Sequence, residues 1–265
     1  LANLHEISIF AARSNPNKLM IFYFSSTGNS KYVADYLARQ TGERLIDVSK
    51  AGLKQEWKYT LDKDERLGFV FPIYAWGPPS LVLKVIKRLE IEGGERAYCY
   101  MVCTCGDDTG CTTALFRRAL KAKGWKLSCG FSLAMPNTYV CLPGFDVDSA
   151  EMAQAKVDAT RKRLPEVCRI LQAKTENHFE VNPGKMPRLK SYVLRPLFNR
   201  FLVSDRPFHS NEACNGCSLC QKLCPVENIR MSEGHPQWQG RCIGCLRCYH
   251  RCPQHAIEYG NQTRK

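Results

Sequence analysis

Apolar and polar positions follow two alternating patterns between residues 19 and 173. Short, mostly apolar runs of strand length alternate with stretches in which apolar residues recur every three or four positions, as on one face of a helix. The strand-like runs are Leu19–Phe24, Arg44–Val48, Leu67–Ile73, Ala97–Cys103 and Lys126–Met135. Regular alternation of strand and helix is typical of a parallel sheet that has helices on both faces.

Helices are predicted over Lys31–Gln40, Ser80–Leu89 and Thr112–Lys123, and a longer one runs to about Ala173. Asp148 with Glu151 three positions later predicts a capping box at the start of that last helix. The predicted fold class is α/β, a doubly wound sheet of five parallel strands with right-handed crossovers. We expect this domain to cover residues 19–173.

The remaining chain divides into four further segments. Residues 1–18 are predicted to be an N-terminal extension, or the result of a mis-called start, because the strand pattern begins only after them. Residues 174–207 form a basic linker, residues 208–260 a small α+β domain, and residues 261–265 a tail.

Apolar residues in the linker recur every four positions at Leu189, Val193, Leu197 and Phe201, although Pro196 is expected to interrupt any helix there. The basic residues of this segment are Lys185, Arg188, Lys190, Arg195, Arg200 and Arg206. One interpretation is that the apolar stripe packs the linker onto the sheet domain. The other is a basic amphipathic surface for a membrane or an acidic partner.

Composition places the chain among proteins that are not embedded in a membrane. Its 265 residues contain no apolar run long enough to span a bilayer and no N-terminal secretion signal, so a cytoplasmic location is predicted. The formal net charge of +13 favours acidic partners. No zinc-finger or helix-turn-helix pattern is present, so nucleic-acid binding is not predicted.

Eight of the 15 cysteines form two copies of the pattern C-x2-C-x2-C-x3-C-P, in residues 214–225 and 242–253. This spacing is typical of the ligands of [4Fe–4S] clusters in bacterial ferredoxins. The two copies are 28 positions apart, which predicts a domain made of two similar halves. The chain is therefore predicted to carry single electrons.

In such runs the fourth cysteine binds the cluster held by the other run. The first predicted ligand set is Cys214, Cys217, Cys220 and Cys252, and the second is Cys242, Cys245, Cys248 and Cys224. Zinc is the alternative metal, but its sites favour paired CxxC units separated by long spacers. The spacing thus favours two iron–sulfur clusters.

Small and polar residues follow three of the predicted strands. The loop at residues 25–30 lies before a helix and has the composition of a phosphate site, without the lysine of an ATP-binding loop. Tyr74 and Trp76, in a loop rich in proline and glycine, are placed to flank a flat ring. The candidate FMN-binding residues are Ser25, Ser26, Thr27, Gly28, Asn29, Ser30, Tyr74, Ala75, Trp76, Gly77, Thr104, Cys105, Gly106, Asp107 and Gly110.

Seven cysteines lie outside the two cluster patterns. Cys99, Cys103 and Cys129 fall in apolar strands and are expected to be small core residues. Cys105, Cys111 and Cys141 lie near the predicted flavin edge and are candidates for a redox thiol. No catalytic residue is predicted.

Residues 19–173 resemble flavodoxin, whose T-G-N-[T/S] phosphate loop has its counterpart in Thr27, Gly28, Asn29 and Ser30. Residues 208–260 resemble a two-cluster bacterial ferredoxin. The order of the two parts is similar to that in the flavodoxin–ferredoxin fusion proteins of anaerobes, the EFR1 family, and residues 135–139 share in that likeness. The resemblance implies noncovalent FMN and strand order 2-1-3-4-5. Flavodoxins are usually acidic, so this basic chain does not inherit their partners.

The predicted function is electron transfer between two [4Fe–4S] clusters and FMN. The chain is either an oxidoreductase that reduces a small acceptor such as a quinone or another flavin, or a carrier between protein partners. A nucleic-acid binder with structural clusters is a third, non-redox hypothesis. No G-x-G-x-x-G sequence is present, so a stable nicotinamide site is not predicted.

Overall fold

The computed structural model describes residues 20–62 and 65–263, so the predicted N-terminal extension lies outside the described residues. The strands, in chain order, are β1 Met20–Tyr23, β2 Arg44–Asp47, β3 Lys58–Thr60, β4 Arg66–Pro72, β5 Glu90–Glu92, β6 Tyr98–Cys105, β7 Leu127–Ala134, β8 His178–Glu180, β9 Phe208–Ser210, β10 Ile229–Ser232, β11 His235–Trp238 and β12 Ile257–Tyr259. The first five helices are α1 Asn29–Thr41, α2 Val48–Lys54, α3 Ser80–Arg88, α4 Thr112–Lys121 and α5 Ala150–Gln172.

Six strands form the central sheet, in the order β2-β1-β4-β6-β7-β8, and every neighbouring pair is parallel. The prediction of a mixed α/β fold with a parallel central sheet is confirmed. The predicted number of five strands was wrong, because β8 adds to the edge beside β7. This strand has only three residues and lies within the predicted linker, so its sequence carries no strand pattern.

The sheet is covered on both faces, as the continuous apolar strands require. Alternate residues of one strand enter different cores: Phe69 packs with Phe116 of α4 on one face, and Val70 lies with Leu164 of α5 on the other. Helices α2, α3 and α4 contribute to the first core, and α1 and α5 contribute to the second. This arrangement fixes the ends of the strands on which the candidate site is built.

The start of α5 differs from the predicted capping box. Ser149 is the N-cap residue, and its side-chain oxygen accepts a hydrogen bond from the backbone N–H of Met152 at 3.2 Å. Asp148 instead accepts from the backbone N–H of Asn137 at 2.9 Å and pairs with Lys156 at 2.7 Å. The box was assigned one residue too early because aspartate and serine are both good N-caps.

The C-terminal part repeats its backbone with the predicted offset. Helix α8 (Leu219–Leu223) corresponds to α9 (Arg247–His250), and β10 corresponds to β12. Gly216 and Gly244 occupy equivalent left-handed positions with φ of 70° and 66°. Its small core takes in Val140 from the preceding domain, so the two parts share apolar contacts.

Residues 187–202, named here the linker helix, form one helical segment. It is α-helical at Pro187–Leu189 (α6) and Arg195–Leu197 (α7), and π-helical at Lys190–Leu194 and Phe198–Leu202. The wide turns on both sides of Pro196 accommodate a residue that has no N–H to donate. The predicted interruption at Pro196 was therefore wrong.

The predicted apolar stripe of the linker is largely exposed. Leu189, Val193, Leu197 and Phe201 have 43%, 49%, 50% and 70% of their surface accessible. The interpretation that this stripe packs onto the sheet domain was therefore wrong.

Among the helices in residues 20–62 and 65–263, none is long and apolar enough to cross a membrane.

Candidate functional site

The first predicted cluster set gathers at one end of the C-terminal domain. A small cavity of about 20 Å³ is lined by Cys214, Cys217, Cys220 and Cys252 together. Cys220 lies close enough to Cys214 and Cys252 for their charges to interact. The structure thus brings the last cysteine of the second run to the first three of the other run.

The second set gathers next to the sheet domain. Cys224 lies close enough to Cys242 and Cys245 for their charges to interact. Cys248 is equally close to Cys242 and Cys245. The crossing of the fourth cysteine is therefore present in both halves of the domain. Which thiols bind iron stays a prediction.

Backbone N–H groups point at several of these sulfur atoms. The N–H of Asn228 donates to Cys224 Sγ at 3.2 Å, and the equivalent N–H of Ala256 donates to Cys252 Sγ at 3.3 Å. Gly244 N–H lies 3.4 Å from Cys242 Sγ. Such donors stabilise negative charge on sulfur, as cluster ligands require.

Two cysteines of the second set need a positive charge beside them in order to ionise. Burial raises the pKa of Cys242 to about 12 and raises the pKa of Cys248 as well, so these thiols ionise at neutral pH only beside a strong positive charge such as a bound metal.

The predicted phosphate loop connects the C-terminal end of β1 to α1. Gly28 has φ of 125°, a conformation open to glycine but strained for other residues, and no side chain caps the first turn of α1. The N–H of Gly28 donates to Ser25 Oγ at 3.2 Å, and Asn29 Nδ2 donates to the backbone oxygen of Pro136 at 2.8 Å. The helix thus presents uncapped N–H groups, which suit a bound phosphate.

Hydroxyl pairs join this loop to the neighbouring strand ends. Ser26 and Tyr74 lie 2.7 Å apart, and Ser30 and Thr104 lie 2.8 Å apart between their side-chain oxygens. Burial raises the pKa of Tyr74 strongly, so its phenol is neutral. Three of the predicted loops therefore meet at one edge of the sheet, as expected for the ligand edge of a parallel sheet.

The aromatic loop is a tight turn in which the N–H of Tyr74 donates to the oxygen of Gly77 at 3.0 Å. Ala75 and Trp76 have φ of 44° and 56°, values that are uncommon for residues other than glycine. Backbone strain of this kind is typical of ligand-binding loops. Gly110 supports the turn, since a Cβ there would lie 2.8 Å from Trp76 Cβ.

These loops surround a cavity of about 810 Å³. Such a volume is typical of a small-molecule or cofactor site. Among the predicted FMN-binding residues, those that line it are Ser25, Ser26, Thr27, Asn29, Ser30, Tyr74, Ala75, Trp76, Thr104, Cys105, Gly106 and Asp107. The predicted glycines Gly28, Gly77 and Gly110 do not line it; they shape the loops around it.

The linker helix supplies a wall that the sequence did not indicate. Ser191 Oγ donates to the oxygen of Trp76 and accepts from the N–H of Cys111, both at 2.7 Å. Lys190 pairs with Asp108, and Arg195 Nη2 donates to the oxygen of Pro78 at 2.6 Å. A segment assigned as a linker thus closes over two of the predicted loops.

Two buried polar atoms near this wall have no partner in the described structure, Asp108 Oδ1 and Arg195 Nε. Both residues line the cavity. One atom accepts a hydrogen bond and the other donates one, and leaving either unpaired is costly. Both atoms have almost no accessible surface, so they face the protein interior. The part of the cavity lining that suits a phosphate is the uncapped start of α1.

The cluster domain supplies another wall, from Ile243 to Leu246, which includes Cys245 of the second cysteine set. Arg247 donates to the backbone oxygen of Ser25, and Arg251 donates to that of Thr27 at 3.2 Å. The domain thus holds the backbone of the phosphate loop directly. Sequence reasoning missed these contacts because residues 222 to 224 positions apart leave no periodic signal.

The candidate redox thiols differ in their surroundings. Burial raises the pKa of Cys105 and of Cys141 to about 12, so both are protonated at neutral pH. Cys111 is half-buried. Cys99, Cys103 and Cys129 are buried within the sheet, which agrees with their predicted place in the core.

Comparison with known families identifies the C-terminal part. Residues 213–257 match the family described as "4Fe-4S dicluster domain". We call this part the dicluster domain after that match. The match agrees with the paired cysteine sets described above.

A curated protein of Escherichia coli (strain K12), "Putative electron transport protein YsaA", is 34% identical to the chain over 67 residues. The aligned part is 24% of this chain and 43% of that protein. The chain therefore spans less than half the length of this relative.

Two solved structures resemble the chain weakly. The rubredoxin oxygen:oxidoreductase of the anaerobe Desulfovibrio gigas has a TM-score of 0.34 and 14% identity, over 60% of this chain and 37% of that one. The Trp repressor binding protein of Bacillus subtilis has a TM-score of 0.35 and 13% identity, over 55% of this chain and 96% of that one. The description of the sheet domain rests on its own strands and connections.

Proposed function

We propose that this protein is an iron–sulfur flavoprotein that passes electrons between two [4Fe–4S] clusters and FMN. The observation that carries the proposal is that Cys245, a member of the second cysteine set, lines the same cavity as the predicted phosphate loop. A cluster held by this set would lie at the wall of the flavin site. Electrons would then pass between the centres within one chain.

The crossed cysteine sets would hold the clusters. Cys214, Cys217, Cys220 and Cys252 form the outer site, and Cys217 is exposed. The inner site, Cys242, Cys245, Cys248 and Cys224, borders the cavity through Cys245. The outer cluster is therefore the one placed to exchange electrons with a redox partner.

The flavin would be held at two ends. Residues 25–30 would receive its phosphate at the uncapped start of α1, and Tyr74 and Trp76, which line the cavity, would flank its ring. Bound FMN exchanges either one or two electrons, so it can join the single-electron clusters to two-electron chemistry. The residues around it bind the ring, orient it and exclude water.

The preferred version of the proposal is an oxidoreductase that reduces a small acceptor. This version is supported by apolar side chains of the linker helix, including Leu197 and Phe201, which line the cavity and are also partly exposed to solvent. A small apolar molecule therefore has a route to the site. The alternative is a carrier that exchanges electrons only with protein partners; the exposed outer cysteine set supports that version.

The decisive experiment is anaerobic reconstitution of the full chain with iron, sulfide and FMN. We expect about eight irons and one FMN per chain, as two cubane clusters and one flavin require. Reduction of the clusters should be followed by bleaching of the flavin absorbance in the same molecule. A preparation with far fewer irons, or one that takes up no FMN, would remove the proposal.

A screen of acceptors then separates the two versions. Steady turnover with a quinone or a free flavin supports the oxidoreductase. Exchange with reduced or oxidised redox proteins, without turnover of any small acceptor, supports the carrier.

A further inference from the structure

The linker helix has an inner and an outer face of different character. On the inner face, Ser191 is buried, and Lys190 and Arg195 are held by Asp108 and the oxygen of Pro78. The outer face carries large apolar side chains that stay largely exposed. Those exposed by more than a third that do not line the cavity are Met186, Leu189, Tyr192 and Val193.

A neighbouring loop extends this apolar surface. Phe145, which is 52% exposed, packs edge-on against Tyr139 at a ring distance of 5.7 Å. Tyr139 in turn lies 5.7 Å from Phe198 of the linker helix. These three rings line the cavity and connect the loop to the linker helix. Monomeric proteins rarely leave large exposed apolar regions uncovered without a function.

The charge around this surface has one sign. Residues 181–204 contain no aspartate or glutamate. Lys185, Arg188, Arg200 and Arg206 are exposed, and none of them has an ion-pair partner in the described part of the chain. A face of aliphatic and aromatic residues bordered by free cations is the pattern of a helix that lies in the interface of an anionic bilayer.

A protein partner fits this face less well. Protein interfaces contain about one hydrogen bond per 100–200 Å² and need both donors and acceptors on each side. The outer face of the linker helix offers mostly apolar groups and cationic donors, together with the hydroxyl of Tyr192. A lipid surface does not need such paired donors and acceptors. Its acyl chains bury the apolar groups, and its phosphates accept hydrogen bonds from the cationic side chains.

We propose that the outer face of the linker helix docks the protein reversibly on an anionic phospholipid surface. Leu189 and Val193 enter the boundary between headgroups and acyl chains, and Arg188 and Arg200 bind lipid phosphates. The docking does not depend on FMN, since every residue involved belongs to the surface of the folded chain. It is peripheral, in keeping with the absence of a membrane-spanning helix among the described residues.

The test is sedimentation of the reconstituted full chain with vesicles. Vesicles of phosphatidylcholine with 30% phosphatidylglycerol are compared with vesicles of pure phosphatidylcholine, at low and at high salt. We expect binding to the anionic vesicles that weakens as salt rises. Protein that stays in the supernatant with anionic vesicles at low salt overturns the proposal.

Matched variants separate the apolar and the charged contributions. Leu189→Ser should weaken partitioning about tenfold, and the pair Arg188→Glu with Arg200→Glu about 25-fold or more. The controls Leu53→Ser and Arg118→Glu change an exposed apolar and an exposed basic residue of other helices, and should bind as the unaltered protein does. Equal loss in the controls overturns the assignment to this face.

Two other occupants give different results. If a second copy covers the face, the protein elutes as a dimer that Leu189→Ser converts to a monomer, and vesicles are not bound. If the partner is an acidic protein, binding is lost in the charge variant but not in Leu189→Ser. Either result contradicts lipid docking, and the iron and FMN content of the same samples reports separately on the proposed redox function.

Discussion

Arg247 of the dicluster domain donates a hydrogen bond to the backbone oxygen of Ser25 in the predicted phosphate loop. The same guanidinium donates to the oxygen of Leu223 at 3.1 Å and lies 5.8 Å from the ring centre of Phe24. One side chain therefore connects both cysteine runs to the end of β1. The position of the loop depends on the dicluster domain being folded beside it.

Replacing Arg247 tests this dependence. Arg247→Ala should lower the protection of the backbone amides in residues 25–30 about tenfold, since a hydrogen bond from a charged group contributes about 1.5–3 kcal/mol. Hydrogen exchange followed by mass spectrometry measures it. Arg230→Ala is the matched control, because Arg230 is exposed on β10 of the same domain. Equal protection in both variants would contradict the coupling.

Paired cysteine variants test the crossed ligand sets. Cys220→Ala with Cys252→Ala removes two residues of one set, so about four irons should remain. Cys220→Ala with Cys224→Ala removes one residue from each set, so neither cluster should assemble. Iron analysis and electron paramagnetic resonance of the reduced protein distinguish the two. The reverse result would show that each run holds its own cluster.

Gly77 is in contact with the linker helix, and a Cβ at this position would lie 2.3 Å from Arg195 Nε. Gly77→Ala should therefore displace the helix, raise its susceptibility to proteolysis and weaken FMN binding about tenfold, or ~1.4 kcal/mol. Limited proteolysis and quenching of flavin fluorescence measure the two effects. Gly52→Ala is the control, because its nearest neighbour would be Val85 at an ordinary 3.7 Å. Identical behaviour of the two variants would argue against this contact.

A buried polar group outside the site controls stability. Glu43, whose side chain is fully buried, pairs with Arg66 at 3.0 Å and accepts from the hydroxyl of Tyr100 at 2.7 Å. Glu43→Ala leaves the buried guanidinium unpaired and should lower the free energy of unfolding by about 3–5 kcal/mol. Urea unfolding measures the change. Glu56→Ala, at an exposed position, should change it by less than about 0.5 kcal/mol.

Burial distinguishes two of the candidate redox thiols from the third. Because burial raises the pKa of Cys105 and Cys141 to about 12, both stay protonated between pH 7 and 9, and their alkylation should speed up only as pH rises towards that value. Cys111 is half-buried and should react first. Iodoacetamide labelling across this pH range, mapped by mass spectrometry, checks the order. Fast labelling of Cys105 at pH 7 would restore it as a redox candidate.

The local sequence was sufficient to predict the elements that have a strong residue pattern. The strands β1, β4, β6 and β7 could be predicted because both of their faces are buried, so that most of their residues are apolar. The 28-residue repeat is equally easy to recognise, since iron ligation requires cysteines at a fixed spacing. The three residues of β8 carry no such pattern, and pairing with β7 alone makes them a strand.

The chain by itself determined the sheet strands, the paired cysteine runs and the polar loops at the strand ends, because each depends on residue type and spacing within a short segment. Tertiary structure decided what closes the cavity: the linker helix through Ser191 and Arg195, and the dicluster domain through Cys245 and Arg247. It also decided that the stripe from Leu189 to Phe201 stays largely exposed, with Leu197 and Phe201 at the border of the cavity. An apolar repeat specifies a helix face, but only the packing of the whole chain determines whether that face is covered.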